Sequence, residues 1–321
     1  MLSNYDFSGS GWHIVQAVRK HTFHKIIFVK RFRHERNFPK EYLLTKGNCN
    51  LIQNFLDKSN IIHFKGDDLP TRRWWFGLRI PKEIKIVVTV SGSKFRRETN
   101  KKSSIAFGKH PIKSYLENSD FRTFISPDLD YPEYKGIFTP CMIGSESVES
   151  CWKFSSPPII GYYPSINYRK GYENYIAPAL KILRELGYKF EELPTVNLKQ
   201  KESIELKKRM TIYIDQIISL TGYYGMSALE AMQFGIPTIT YLNEKSLGML
   251  KMEGFNNVPI LNPGHSIEGL TNLLKDILDG KIDLTEVSKK TKQFCTDFHG
   301  YKKGAERWNR IYEKILPGSG D

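Results

Sequence analysis

No apolar run in this 321-residue chain approaches the ~20 residues that a membrane-crossing helix needs. The opening MLSNYDFSGSGW lacks the charged-then-apolar layout of a signal peptide. The expectation is a cytoplasmic protein, at most peripheral on the inner face of a membrane. Only four cysteines occur, Cys49, Cys141, Cys151 and Cys295, scattered and without C-x-x-C spacing. That excludes a disulfide frame and a zinc ribbon, and leaves reduced, buried thiols. The eight histidines show neither H-x-x-x-H nor H-E-x-x-H spacing. His63, at the end of an apolar strand pattern, reads as a core histidine rather than a ligand. No internal repeat or low-complexity segment is present.

What is present is charge, unevenly placed. The formal net charge is +14, and residues 1–140 hold +12 of it. An anionic partner is therefore expected on the first half. Two basic surfaces stand out there. One is Thr71–Ile80 (TRRWWFGLRI), where Arg72, Arg73 and Arg79 surround Trp74, Trp75 and Phe76. It suits a lipid headgroup boundary or nucleic-acid stacking, or else it is a packed helix edge with solvated arginines. The other is Lys94, Arg96, Arg97, Lys101 and Lys102.

The chain is long enough for two α/β domains. In the first, Gly9-Ser10-Gly11 leads into a helical pattern over Trp12–Lys20. Strand patterns follow at Lys25–Lys30, Ile61–Phe64 and Ile84–Val90, the last a continuous apolar run of the kind a parallel sheet buries on both faces. A final strand falls near Phe124–Ser126. From Pro158 the alternation restarts, with strands at PIIGYYP, Tyr188–Leu193 and Ile212–Asp215. Helices are expected over Gly171–Gly187, Ser203–Met210, Ile267–Leu278, Leu284–Phe298 and Lys302–Leu316. Strands that open repeatedly onto polar, Gly-containing ends fit open sheets whose ligands gather at the carboxyl ends.

The stretch Gly222–Thr240, GYYGMSALEAMQFGIPTIT, concentrates the chemistry. Tyr223, Tyr224 and Gly225 form a turn, and Ser227 with Glu230 has the S-x-x-E capping-box spacing. Gly235 and Pro237 stop the helix before a buried strand. A helix opening on a glycine turn offers free amides to a phosphate. Read locally, Glu230 does no more than cap and Gly225 no more than turn the chain.

The segment resembles the donor-site signature of retaining glycosyltransferases of the GT-B fold, the large family four (glycosyl transferases group 1). Its G-F/Y-G-x-x-x-L-E-A-M-x-x-G-x-P-V pattern is matched by Tyr224, Gly225, Leu229, Glu230, Ala231, Met232, Gly235 and Pro237. The resemblance implies an α/β architecture of two Rossmann-like, doubly wound domains facing across a cleft. Residues 1–140 would bind the acceptor and 141–301 the nucleotide sugar, with a last helix over 302–316 crossing back to the first domain. It further implies a retaining transferase for a UDP- or GDP-linked sugar, with neither metal nor cofactor.

Site residues follow from the same resemblance. Glu230 is similar to the second glutamate of the family's E-x7-E motif, whose carboxylate takes the ribose hydroxyls; the first falls at Gly222. Lys170, behind Pro164-Ser165 in PSINYRKG, is similar to the family's phosphate-binding lysine, with Ser165 beside it. Gly9, Ser10 and Gly11 and the amides of Gly225, Met226 and Ser227 would complete the phosphate cradle. Asp215-Gln216 matches a D-Q dipeptide before the signature, and reads equally as a strand-end cap. Where relatives carry a histidine after the IKIVVTV strand, this chain has Ser91. Lys170, Glu230 and Ser91 are thus the expected catalytic set, with Gly66, Asp67, Ser93, Lys94, Arg96 and Arg97 on the acceptor side. Asp128-Leu129-Asp130 spells the metal-binding D-x-D of another glycosyltransferase fold, but sits in a non-metal S-x-P-D-L stretch.

Three functions remain open from sequence. The first is transfer to a cell-surface glycan or glycolipid on an anionic membrane. The second is transfer to hydroxylated bases of phage-type DNA. The third is a non-catalytic module binding nucleotide sugars or anionic glycans. UDP-sugar epimerases share the architecture, but their histidine-rich active sites are not evident here.

Overall fold

The computed structural model describes residues 1–3, 9–32, 41–66, 73–91, 111–163, 170–196 and 198–316. The backbone divides into two compact units, Met1–Cys141 with Tyr301–Asp321, and Met142–Gly300.

The first unit is built on a seven-stranded sheet in the order β3-β2-β1-β4-β7-β8-β9. Its strands are β1 (Leu2–Ser3), β2 (Val29–Lys30), β3 (Tyr42–Leu43), β4 (Ile61–Lys65), β7 (Lys85–Val90), β8 (Phe121–Phe124) and β9 (Ile137–Phe138). All of its pairings are parallel. The apolar run of β7 is buried from Ile86 to Val90, as a central parallel strand demands. The KIIFVK pattern yields only two ladder residues, because β1 offers only Leu2 and Ser3 to pair with.

Helix α1 (Ser10–His21) follows β1, α2 (Cys49–Asp57) follows β3, and α3 is Pro111–Glu117. The last helix, α10 (Tyr301–Ile315), packs on α1 within this unit and buries Ala305, Trp308, Ile311 and Tyr312. It also encloses His63, whose Nδ1 lies 2.8 Å from the Tyr312 hydroxyl and whose Nε2 lies 2.7 Å from Thr89 Oγ1. Burial pushes the His63 pKa well below the ordinary histidine range. It is a satisfied core histidine.

The Trp-rich stretch is not a helix edge. Strands β5 (Trp74–Trp75) and β6 (Leu78–Arg79) form an antiparallel hairpin, with Phe76 and Gly77 both at positive φ (47° and 88°) in its two-residue turn. Such turns match the twist of the strands they join. Strand alternation buries Trp75 and Leu78, and turns Trp74 (55% exposed) and Arg79 outward beside Phe76 (44% exposed). The Arg73 guanidinium is spent on the carbonyls of Pro81 and Ile84, at 2.6 and 3.3 Å.

The second unit holds a parallel sheet in the order β11-β10-β12-β13, formed by β10 (Ile159–Tyr162), β11 (Glu191–Pro194), β12 (Ile212–Ile214) and β13 (Thr238–Ile239). Its helices are α4 (Ala177–Glu185), α5 (Gln200–Lys207), α6 (Met226–Met232), α7 (Glu244–Met252), α8 (Ile267–Leu278) and α9 (Leu284–His299). Ile160, Leu180, Leu183, Ile212, Ile214, Leu270, Leu274 and Ile277 share one core between sheet and helices. The helix expected from Gly171 begins as a wide turn over Tyr172–Ile176, behind a left-handed Gly171 (φ 77°), and becomes regular at Ala177.

Both sheets are doubly wound. Strand order reverses between β1 and β4 in the first unit, and between β10 and β12 in the second. In such sheets ligands collect beyond the carboxyl ends at the reversal.

Candidate functional site

At the reversal of the second sheet, the residue that follows β12 is Asp215. It is fully buried and its two carboxylate oxygens are both engaged. Oδ1 takes the Lys170 ammonium at 2.5 Å and Oδ2 takes the Gly225 N–H at 2.7 Å. One carboxylate thus joins the segment after β10 to the turn before α6. Lysine has three N–H donors. Asp215 is the only hydrogen-bond partner of the Lys170 side chain among the described residues, and 15% of that side chain remains exposed. The amide of Gly225, expected to face a phosphate, is instead consumed by Asp215.

Gln216 completes the latch. Its side-chain amide donates to the Tyr223 carbonyl and to Thr221 Oγ1 (3.2 Å), while its own carbonyl accepts from Tyr241 N and Thr240 Oγ1. The D-Q pair thus bonds the strand end to the turn. Tyr223 and Tyr224 stack at 4.1 Å between centroids, and the Tyr224 hydroxyl lies 2.8 Å from His299 Nε2. Gly222 adopts a left-handed conformation (φ 49°), and its carbonyl accepts from Asn243 N at 3.1 Å. A Cβ built on Gly222 falls inside the Asn243 side chain. The glutamate that the resembling family places here has no room.

The capping box does not form. Gly225 is the N-cap of α6 and makes no side-chain cap bond, which leaves Ser227 inside the first turn, its Oγ 2.6 Å from the Tyr213 hydroxyl. Glu230 lies in the second turn of α6. Its Oε2 forms an ion pair with Lys207, the buried last residue of α5, and its Oε1 has Gln200 Nε2 at 3.4 Å. The Glu230 side chain is 9% exposed. Beside β12, Tyr162 donates its hydroxyl to Glu192 Oε2 (2.6 Å) and stacks on Tyr172. Burial, reinforced by Glu192, raises the Tyr162 pKa far above the ordinary tyrosine range.

In the first unit, Gly9 (φ 71°) is the N-cap of α1, with Ser10 and Gly11 buried in its first turn. Gly66 ends β4, its N–H bonded to the Thr89 carbonyl at 3.0 Å. Ser91 follows β7, half-buried. Gly66 and Ser91 thus sit directly after the carboxyl ends of the paired strands β4 and β7. Ser165, Asp67, Ser93, Lys94, Arg96 and Arg97 lie outside the described residues. Asp128 accepts the Ser126 hydroxyl within the Pro127–Leu129 turn. Among the described residues, no group of three His, Cys, Asp or Glu side chains could hold a metal ion.

Lys207, Gln200, Asn243 and His299 were not identifiable from sequence. Lys207 stands in a lysine-rich helix, KESIELKKRM, where nothing distinguishes it from its solvated neighbours. Only its place one strand before the signature could have drawn notice.

No family model matches the sequence, and no curated protein does. Solved structures do. A glycosyltransferase from Rickettsia africae aligns with a TM-score of 0.59 at 12% identity, covering 99% of this chain and 98% of its own. An alpha-glucosyltransferase in complex with UDP and a 13-mer DNA containing a central A:G mismatch aligns at 0.61 and 10% identity, over 98% of both chains. The Anabaena protein HepE, in complex with UDP and glucose, aligns at 0.58 and 9% identity, over 97% of this chain and 98% of its own. At such identities the likeness defines the fold. The chain has the GT-B fold of glycosyltransferases.

Proposed function

We propose that this protein is a retaining, metal-independent glycosyltransferase that moves a hexosyl or pentosyl group from a UDP- or GDP-linked donor. The acceptor is a hydroxyl of a cell-surface glycan or glycolipid. The observation that carries the reading is the Lys170–Asp215–Gly225 latch at the sheet reversal, immediately before the helix that bears Glu230. Among the described residues the Lys170 ammonium has Asp215 as its one side-chain partner, and a second carboxylate, Glu230, follows on the next helix. A nucleotide diphosphate needs both: a point charge for its phosphates and an acceptor for its ribose hydroxyls. Solved structures of this fold hold UDP, UDP-glucose, or UDP with glucose, which supports the donor class.

In the transfer, the bond from the anomeric carbon to the diphosphate oxygen breaks and a bond to the acceptor oxygen forms. Ser91 stands where the resembling family carries a histidine. A hydroxyl can hydrogen-bond a sugar but is no base near neutral pH. By the resemblance, the acceptor attacks on the face from which the diphosphate leaves and gives its proton to the departing phosphate oxygen, so the anomeric configuration is retained.

Thermal unfolding against UDP-, GDP-, ADP- and CMP-sugars tests the donor. A nucleotide that binds only the folded state adds about 2.7 kcal/mol at a hundred times its dissociation constant. Unchanged unfolding with all four refutes the reading. Slow donor hydrolysis without acceptor, unaffected by EDTA, separates an enzyme from a binding module.

A second reading takes DNA as acceptor. It is favoured by the +12 balance of residues 1–140 and by the likeness to the DNA-bound alpha-glucosyltransferase. Its mark is duplex binding that falls steeply with salt, set against sedimentation with anionic vesicles for the first reading.

A further inference from the structure

We propose that Lys207 is a positioning residue for nucleotide recognition, and that it sets the preference for a ribonucleotide over a deoxyribonucleotide by orienting Glu230. The inference rests on the reading of Glu230 as the group that meets the ribose. It starts from an arrangement that the fold does not need. The Lys207 side chain has no exposed surface, yet it ends in an ammonium, and that ammonium is ion-paired to Glu230 Oε2. A buried ion pair gives little net stability compared with apolar side chains of similar volume. Its use lies in geometry.

An ionised carboxylate offers about four acceptor positions on two oxygens. Here the Lys207 ammonium, 5.4 Å from the centroid of the Tyr213 ring, holds Oε2. Tyr213 is in turn bonded to Ser227 in the first turn of α6. The ion pair restrains the orientation of the carboxylate. Among the described residues, Oε1 has one long contact, Gln200 Nε2 at 3.4 Å, and keeps acceptor capacity. Gln200 opens α5 and Lys207 closes it, so one helix supplies both the polar neighbour of the free oxygen and the anchor of the other. A ligand hydroxyl would donate a charge-assisted hydrogen bond to Oε1, along a direction that Lys207 sets.

The test measures dissociation constants for UDP and 2′-deoxyuridine diphosphate by calorimetry, in the wild type, E230Q, K207M and K207R. The wild type is expected to prefer UDP by roughly 10–100-fold, the worth of one hydrogen bond to a charged group. E230Q should reduce that ratio to within about threefold of unity. K207M frees the carboxylate and should lose the preference while binding of the deoxynucleotide changes less than about twofold. K207R retains the charge, so the fold is kept where K207M destabilises it. A guanidinium takes carboxylates in a two-pronged manner, which would occupy Oε1 and likewise abolish the preference.

A merely structural lysine would lower the unfolding temperature and weaken both nucleotides together, leaving the ratio intact. A ratio preserved in folded K207M and K207R overturns the role of Lys207 alone. Absence of any preference in the wild type, or its survival in E230Q, overturns the ribose reading and this inference with it.

Discussion

Gly222 is the departure from the resembling pattern that can be tested most directly. It stands where that pattern has a glutamate, with φ at +49° and a hypothetical Cβ 2.8 Å from Asn243 Cβ and closer still to the rest of that side chain. Two costs follow for G222A. An L-residue in the left-handed region costs about 1–2 kcal/mol. Asn243 must also move, and its Oδ1 is the N-cap acceptor for Ser246 N at 2.9 Å; losing a cap costs about 1 kcal/mol. The sum is about 2–3 kcal/mol, or roughly 5–10 °C for a unit of this size. G187A provides the control. Gly187 is also left-handed (φ 87°), but a Cβ there meets nothing within 4 Å. It should cost only the backbone part. Thermal unfolding by circular dichroism, followed in both variants, reads the difference. If G222A is no more destabilising than G187A, the steric explanation for the missing glutamate is wrong. G222E should be worse than G222A and should fail to improve donor binding.

D215N removes the charge that Lys170 and Gly225 share, and places an amide N–H against one of two donors. It should cost about 2–4 kcal/mol in urea unfolding, with a double-mutant cycle against K170M showing coupling well above 0.5 kcal/mol; additivity would break the latch. His63 predicts acid sensitivity. It is neutral in the folded state because burial depresses its pKa, whereas the unfolded chain takes up a proton below about pH 6.5. Stability should be flat with respect to this group above that pH and fall by up to about 1.4 kcal/mol per unit below it. H63N should flatten the slope between pH 6.5 and 5, and an unchanged slope would count against the assignment. If the acceptor is a membrane glycolipid, W74A/F76A should weaken sedimentation with anionic vesicles about tenfold or more. Thermal unfolding run alongside checks that the hairpin stays folded, since Phe76 also packs against Trp75 and the Arg31 guanidinium; equal sedimentation by the folded variant excludes the hairpin as the contact.

Much of the fold was legible because burial imposes periodicity. The apolar run of β7 and the spacing of Leu270, Leu274 and Ile277 in α8 need no partner to be recognised. Elements defined by something distant were not. KIIFVK has strand composition, but only Val29 and Lys30 pair because β1 is short. The hairpin at Trp74–Arg79 depends on Phe76 accepting a left-handed φ, which no propensity favours. Helix α7 was overlooked because Gly248 and a run of polar residues blur its face. The site followed the same rule. Its residue types were visible, but Asp215–Lys170 and Glu230–Lys207 span 45 and 23 residues of sequence, and nothing local announces either pair.

Those pairings change what the signature means. Asp215, Gln216, the Tyr223 carbonyl, the Tyr224 hydroxyl and the Gly225 amide are all bonded within the protein. Of the residues that carry the resemblance, Tyr224 and Gly225 are thus tied into the turn itself. Among the described residues, the ammonium of Lys170 has Asp215 as its one side-chain partner and Oε1 of Glu230 has one long contact, so both keep capacity for a ligand. Both are held by partners outside the signature, Asp215 for one and Lys207 for the other. A short motif can then persist in sequence while specificity is set by the partners. Substitution of those partners should alter which nucleotide is chosen, whereas substitution within the turn should first lower stability.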